Sequence, residues 1–211
     1  MLIGVFDSGK GGRFVARRLE ELLPEHDYLV VDDHEHVPYG DRPDEDVLLL
    51  TEQALQPLLE KVKLIVIACN TSTAIAINSL REKYPDHTFI GYEPMVKPLC
   101  ALTGHGIILA THATLNSMRY KNLKEKYGHE VHIIEPDTTD WALYIENDTP
   151  ELIDLSQVDQ AVDDGASVIV LACTHYLDLE QMLIDRYPDT EIIEPTDAVT
   201  RQIILFSQEV L

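Results

Sequence analysis

Eight short runs of aliphatic and β-branched residues punctuate the chain: LIGVF (2–6), YLVVD (28–32), LIVIAC (64–69), FIGY (89–92), GIILAT (106–111), VHIIE (131–135), VIVLAC (168–173) and EIIE (191–194). Successive side chains of a strand point to opposite faces, so runs that are apolar at consecutive positions describe strands covered on both sides. Between them lie stretches with helical periodicity, among them FVARRLEELL (14–23), DVLLLTEQALQPLLEKV (46–62) and LEQMLIDRY (179–187). Strands alternating with helices predict an α/β fold of parallel sheets flanked by helices.

The second half can be laid on the first at a constant offset of 104 residues: LIGVFDSG falls on GIILATHA, Asp7 meets Thr111, YLVVD meets HIIEP, and VKLIVIACNTS (62–72) meets ASVIVLACTHY (166–176). In that frame Cys69 superposes on Cys173. An internal repeat of this kind predicts two pseudo-symmetric α/β lobes, residues 1–94 and 95–187, with the last strand and helix (188–211) returning to the first. GYEPMVKP (91–98), with two prolines, is the expected hinge between them.

Composition narrows the field. Lys and Arg number 16 against 37 Asp and Glu, a formal net charge of -21, and 45% of residues are apolar. That apolar share builds a core without disulfide or metal staples. The acidic excess opposes nucleic-acid binding, which needs cations to displace phosphate counterions. No apolar run approaches the roughly 20 residues of a membrane-spanning helix. The start MLIGVFDSGK has neither the basic flank nor the long apolar stretch of a signal peptide, so a cytoplasmic location is expected. Three cysteines in that setting read as free thiols. The expected partner is a small molecule; if it is anionic, local backbone dipoles must hold it against the overall field.

Ligands of open parallel sheets bind beyond the carboxyl ends of the strands, and here those ends are polar. Asp7-Ser8-Gly9-Lys10-Gly11-Gly12 follows the first run and Cys69-Asn70-Thr71-Ser72 the third; Thr111-His112-Ala113-Thr114 and Cys173-Thr174-His175 follow their later counterparts. Cys69 and Cys173 facing each other across a cleft suit a two-base inversion, one thiolate removing a proton from a carbon acid and the opposite thiol returning one to the other face. A buried cysteine also serves as a small apolar residue, and Cys100 in KPLCAL keeps that reading. Asp7 and His175 stand beside the cysteines as groups that can orient or deprotonate them, or as a turn cap and a structural histidine. A dinucleotide fingerprint would need glycine at Phe14, and no Walker sequence occurs. DDHEH (32–36) reads as a solvated charge run rather than a metal site.

The motifs GVFDSGKGG (4–12), HVPYGD (36–41), ACNTSTA (68–74), ATHATLNS (110–117) and LACTHY (171–176), in this order, resemble the glutamate racemase family of the cofactor-independent aspartate/glutamate racemase superfamily. The resemblance implies two related α/β lobes with the active site between them. It further implies racemisation by Cys69 and Cys173 without pyridoxal phosphate or metal, Asp7 assisting the first cysteine and His175 the second. Substrate contacts would come from Ser8, the Pro38-Tyr39-Gly40 turn, Asn70, Thr71, Thr111, Thr114 and Thr174. A homodimer, and a role in supplying D-glutamate for peptidoglycan, are also implied. The chain departs from the family in its shorter length and in EPDTTDWALYIEND (135–148), which replaces a Cys-Pro-rich segment and aligns Glu146 with an auxiliary acid. Leu177 stands where proline is usual and Lys10 where an apolar residue is, and ATHAT lacks the usual leading glycine. These departures motivate two alternatives: a racemase of aspartate or another amino acid, and a noncatalytic binding protein on the same scaffold.

Overall fold

The computed structural model describes residues 1–210, with side chains through Gln208. All eight apolar runs form strands, arranged as two four-stranded parallel sheets. The first has the order β2-β1-β3-β4, from β1 (Leu2–Asp7), β2 (Asp27–Asp32), β3 (Leu64–Ile67) and β4 (Thr88–Gly91). The second repeats the order as β6-β5-β7-β8, from β5 (His105–Ala110), β6 (His132–Ile134), β7 (Val168–Ala172) and β8 (Glu191–Ile193). The helices are α1 (Gly11–Leu22), α2 (Asp44–Leu59), α3 (Asn70–Lys83), α4 (Val96–Leu102), α5 (His112–Asn116), α6 (Met118–Tyr127), α7 (Trp141–Glu146), α8 (Ser156–Asp163), α9 (Glu180–Arg186) and α10 (Thr196–Val210). A 3-10 turn at Thr174–Leu179 joins β7 to α9.

Strand alternation sorts the apolar residues into three layers. Ile3, Val5, Leu64 and Val66 of the first sheet share one continuous central core with Ile107, Leu109, Ile169 and Leu171 of the second, with Val15 and Leu19 of α1 packed among them. The opposite face of the first sheet, Phe6, Ile65 and Ile67, packs with Val47, Leu55 and Leu58 of α2 and with Ile77 and Leu80 of α3. The outer face of the second, Ile108, Val168 and Val170, packs under α4 and α6 through Leu99 and Tyr120. Covering both faces of each sheet explains why the strands read as unbroken apolar runs rather than alternating ones.

Two sequence expectations need correction. The last strand does not return to the first lobe: β8 pairs with β7, Ile169 opposite Ile192, and is the fourth strand of the second repeat. Only α10 crosses back, onto α1 and β4. Nor is the 104-residue offset constant. Val5 pairs with Val66 in the first sheet, whereas Leu109, its counterpart at that offset, pairs with Leu171, a residue further on. A one-residue slip turns every side chain of a strand to the other face. Cys69 therefore packs with the α2–α3 layer and Cys173 with the central core, so the thiols are not symmetry copies.

A net charge of -21 on so small a body stores self-repulsion that unfolding relieves. Melting followed by circular dichroism in increasing KCl is expected to show Tm rising by several degrees up to about 0.5 M, where the screening length has fallen well below 10 Å.

Candidate active site

The polar strand ends of the two sheets meet at a closed seam. Asp7 ends β1 with no exposure; Ser8, Asn70, Thr71, Thr174 and His175 are each 3% exposed, Cys69 is 4% and Cys173 6%. Asp7 Oδ1 accepts from the Gly9 amide at 2.9 Å. Its Oδ2 accepts from the Thr174 hydroxyl of the other lobe at 2.8 Å. Burial is the main influence on Asp7 and raises its pKa; the charge of His175 and the Thr174 and Gly9 hydrogen bonds oppose it.

Cys69 is the N-cap of α3, and its sulfur accepts from the Ser72 amide at 3.4 Å. The Ser8 hydroxyl lies 3.3 Å from the same sulfur. Burial, followed by the charge of Asp7, pushes this thiol up to about 11, against the hydrogen bonds from Ser72 and Ser8. Asp7 thus acts on Cys69 through its charge, while Ser8 makes the direct contact. Ser72, which the sequence reading passed over, is completely buried and takes a hydrogen bond from Thr51 on its own hydroxyl. Its place at the third helical position after a cysteine N-cap was the available signal.

On the opposite side Cys173 Sγ lies 3.7 Å from His175 Nδ1, and His175 Nε2 lies 2.6 Å from Glu146 Oε1 at the end of α7. Burial works against a charged His175, but the contacts with Cys173 and Glu146, with the charges of Cys173 and Asp7, outweigh it and raise its pKa to about 10. Burial likewise opposes the Glu146 carboxylate, yet His175 and the Lys10 amide, which donates to Oε1 at 2.7 Å, lower its pKa. Cys173 thus sits beside an imidazolium–carboxylate pair, and Cys69 beside hydroxyl and amide donors.

Three threonines bridge the lobes. Thr71 Oγ1 lies 2.9 Å from Thr111 Oγ1 and 3.4 Å from Thr114 Oγ1. The Gly40 carbonyl accepts from the Ala113 amide at 3.0 Å, bringing the Pro38-Tyr39-Gly40 turn against the second lobe. The Tyr39 hydroxyl donates to Asp33 Oδ2 at 2.7 Å, and its side chain belongs to the same buried cluster as Cys69. Asn70 donates from Nδ2 to the Tyr92 carbonyl at 2.9 Å, while its buried Oδ1 has no partner. A buried acceptor so placed costs stability until a donor reaches it.

The glycines of the first motif make room for the other lobe and do not form a nucleotide loop. A Cβ on Gly9 would collide with Glu146 and His175, and one on Gly11 with the Thr174 side chain and, at 3.1 Å, with its backbone carbon. In the DDHEH run His34 Nε2 approaches Asp32 at 3.2 Å and His36 Nδ1 approaches Asp33 at 2.9 Å. Among the described residues no cluster of three or more His, Cys, Asp or Glu could hold a metal ion, and no helix is long and apolar enough to cross a membrane.

Two outcomes follow from this geometry. His175 has a folded pKa above its ordinary 6.5, so its stabilisation is complete below pH 6.5 and is lost as pH rises through about 10. Chemical denaturation at pH 6 and pH 10 is expected to show a larger loss for the parent protein than for Glu146→Gln, which removes the carboxylate that holds the charge. Gly11→Ala, with Thr174 backbone in its way, is expected to cost about 1–3 kcal/mol in the same assay.

The chain is similar to known proteins over nearly all its length. Residues 13–203 match the Asp/Glu/Hydantoin racemase family. A glutamate racemase of Clostridium perfringens is 37% identical over 210 residues, covering 95% of this chain and 81% of that relative. Among solved structures, Escherichia coli glutamate racemase in complex with L-glutamate and the activator UDP-MurNAc-Ala superposes with a TM-score of 0.83 at 26% identity, covering 97% of this chain and 81% of that one. Francisella tularensis glutamate racemase in complex with D-glutamate gives a TM-score of 0.78 at 25% identity, covering 99% and 82%. With its paired sheets, its polar seam and these matches, the chain belongs to the Asp/Glu/Hydantoin racemase family.

Proposed function

We propose that this protein is a glutamate racemase that interconverts the L and D isomers by proton transfer between Cys69 and Cys173, without an organic cofactor. The observation that carries the reading is that each lobe delivers one thiol to the same buried seam, each with its own set of polar helpers. The Clostridium perfringens relative and the solved structures just described are glutamate racemases, which supports glutamate as the substrate.

In the forward sense one cysteine, as thiolate, takes the Cα proton and the resulting carbanion takes a proton from the opposite thiol on its other face. The two cysteines then hold each other's former protonation states. Proton exchange with water resets them when product leaves, with His175 and Glu146 beside one thiol and Ser8 and the charge of Asp7 beside the other. Asn70 Oδ1 accepts from the substrate ammonium. The hydroxyls of Thr71, Thr111 and Thr114, with the turn at Gly40, grip the carboxylates, while the Thr174 hydroxyl is committed to Asp7. This neutral grip answers the repulsion of an anionic substrate by an acidic protein. Seam residues only 3–6% exposed leave no route for glutamate while the lobes are closed, so each turnover includes their parting. The D isomer made by such an enzyme is a building block for peptidoglycan.

The test is incubation with L-glutamate in deuterated water without added cofactor, following the Cα proton by NMR and the optical rotation together. Both signals are expected to disappear. Cys69→Ala and Cys173→Ala should each lower racemisation by at least about 10³-fold while circular dichroism stays unchanged. Full activity in either variant would refute the two-thiol assignment, and faster turnover of aspartate would reassign the substrate.

A further inference from the structure

We infer that Lys10 and Asp148 form an ionic clasp across the mouth of the cleft, and that it sets how often the lobes open to expose the two thiols. This rests on reading the seam as the active site but does not require that glutamate be the substrate. Lys10, between the end of β1 and α1, belongs to the first lobe; Asp148, two residues beyond α7, belongs to the second. Lys10 Nζ donates to Asp148 Oδ1 at 2.9 Å, and the Lys10 amide donates to Glu146 Oε1 at 2.7 Å. One residue thereby holds both carboxylates that follow one another at the end of α7, the first buried against His175 and the second at the surface.

The clasp is the most exposed of the ion pairs that join the two lobes. Asp7–Thr174 is buried and Thr71–Thr111 partly so, while Arg18 with Glu180 and Glu194, and Arg119 with Glu93, pair over mostly covered surface. The Asp148 side chain is 88% exposed, so the pair can break and re-form without bringing water into the core. Asp148 also holds φ 55, a left-handed conformation that aspartate tolerates better than most residues. The backbone turns there immediately after the helix and presents the carboxylate to Lys10. Lys10 and Asp148 are positioning residues; neither touches the reacting atoms.

The thiols themselves report opening. Cys69 and Cys173 are buried when the lobes are closed, whereas Cys100 on α4 is partly exposed and lies away from the seam. Alkylation of the free enzyme by neutral iodoacetamide, read peptide by peptide by mass spectrometry, measures the open population without relying on turnover. Lys10→Met keeps the amide that serves Glu146 and removes only the ammonium; Asp148→Asn keeps the tolerance for the left-handed turn and removes only the charge. At low salt each is expected to speed alkylation of Cys69 and Cys173 by about two- to fourfold, the range of an exposed ion pair. The double variant should be no faster than the singles, Cys100 should be unaffected, and the difference from the parent should vanish in about 1 M NaCl. Unchanged rates at both thiols, effects that multiply in the double variant, or equal acceleration at Cys100 would each overturn the clasp. Because no outcome depends on racemisation, an inactive protein that shows the expected pattern would refute the proposed function and leave the clasp standing.

Discussion

A carboxylate with no exposure to water must draw its hydrogen bonds from protein, and Asp7 draws them from both halves of the chain. The Gly9 amide belongs to its own turn, and the Thr174 hydroxyl belongs to the loop that carries Cys173. The second is in place only when the lobes are together, so one buried carboxylate couples the closed shape of the molecule to the alignment of its reactive groups. The same carboxylate raises the thiol of Cys69 and helps hold His175 in its charged form. Shape and proton affinity at the seam therefore share one contributor, the residue that ends the first strand.

The fold was largely legible because hydrophobic runs at strand spacing are a local signal. All eight strands lie where those runs placed them, and the repeat foretold two related α/β lobes. What escaped was relational. Whether β8 joins its own repeat or the first lobe depends on pairing, which no single run encodes; extending the offset to the fourth strand would have put it beside β7. The one-residue slip between β3 and β7 escaped for a subtler reason. Both runs are apolar at every position, so parity, which tells one face from the other, has no polar residue to mark it.

The seam was half legible. Strand ends rich in Asp, Cys, Asn, Thr and His pointed to these loops, and the structure hydrogen-bonds Asp7 to Thr174, Ser8 to Cys69, Thr71 to Thr111 and Thr114, and Cys173 to His175. Which atoms bond to which was not legible. Asp7 was expected to assist Cys69; its hydrogen bonds go to Gly9 and Thr174 and its charge reaches the thiol, while the Tyr39 hydroxyl bonds Asp33. Glu146 and Lys10 are 136 residues apart, and their contact arises only because glycine at positions 9 and 11 lets a first-lobe turn press against α7 and the Thr174 loop. Space left by a missing side chain is not visible in a sequence until the neighbour that fills it is known.

The chain passes between the lobes twice, once after β4 and once after β8, and the two passages are fastened together where the Tyr92 hydroxyl meets Thr196 Oγ1 at 2.9 Å. Two covalent crossings pinned side by side leave the lobes free to swing about that point while opposing any sliding of one past the other. Sliding would change which strand end faces which; swinging only changes the gap. A molecule jointed in this way can admit a ligand, shut, and find its two sulfur atoms returned to the same mutual position at every cycle.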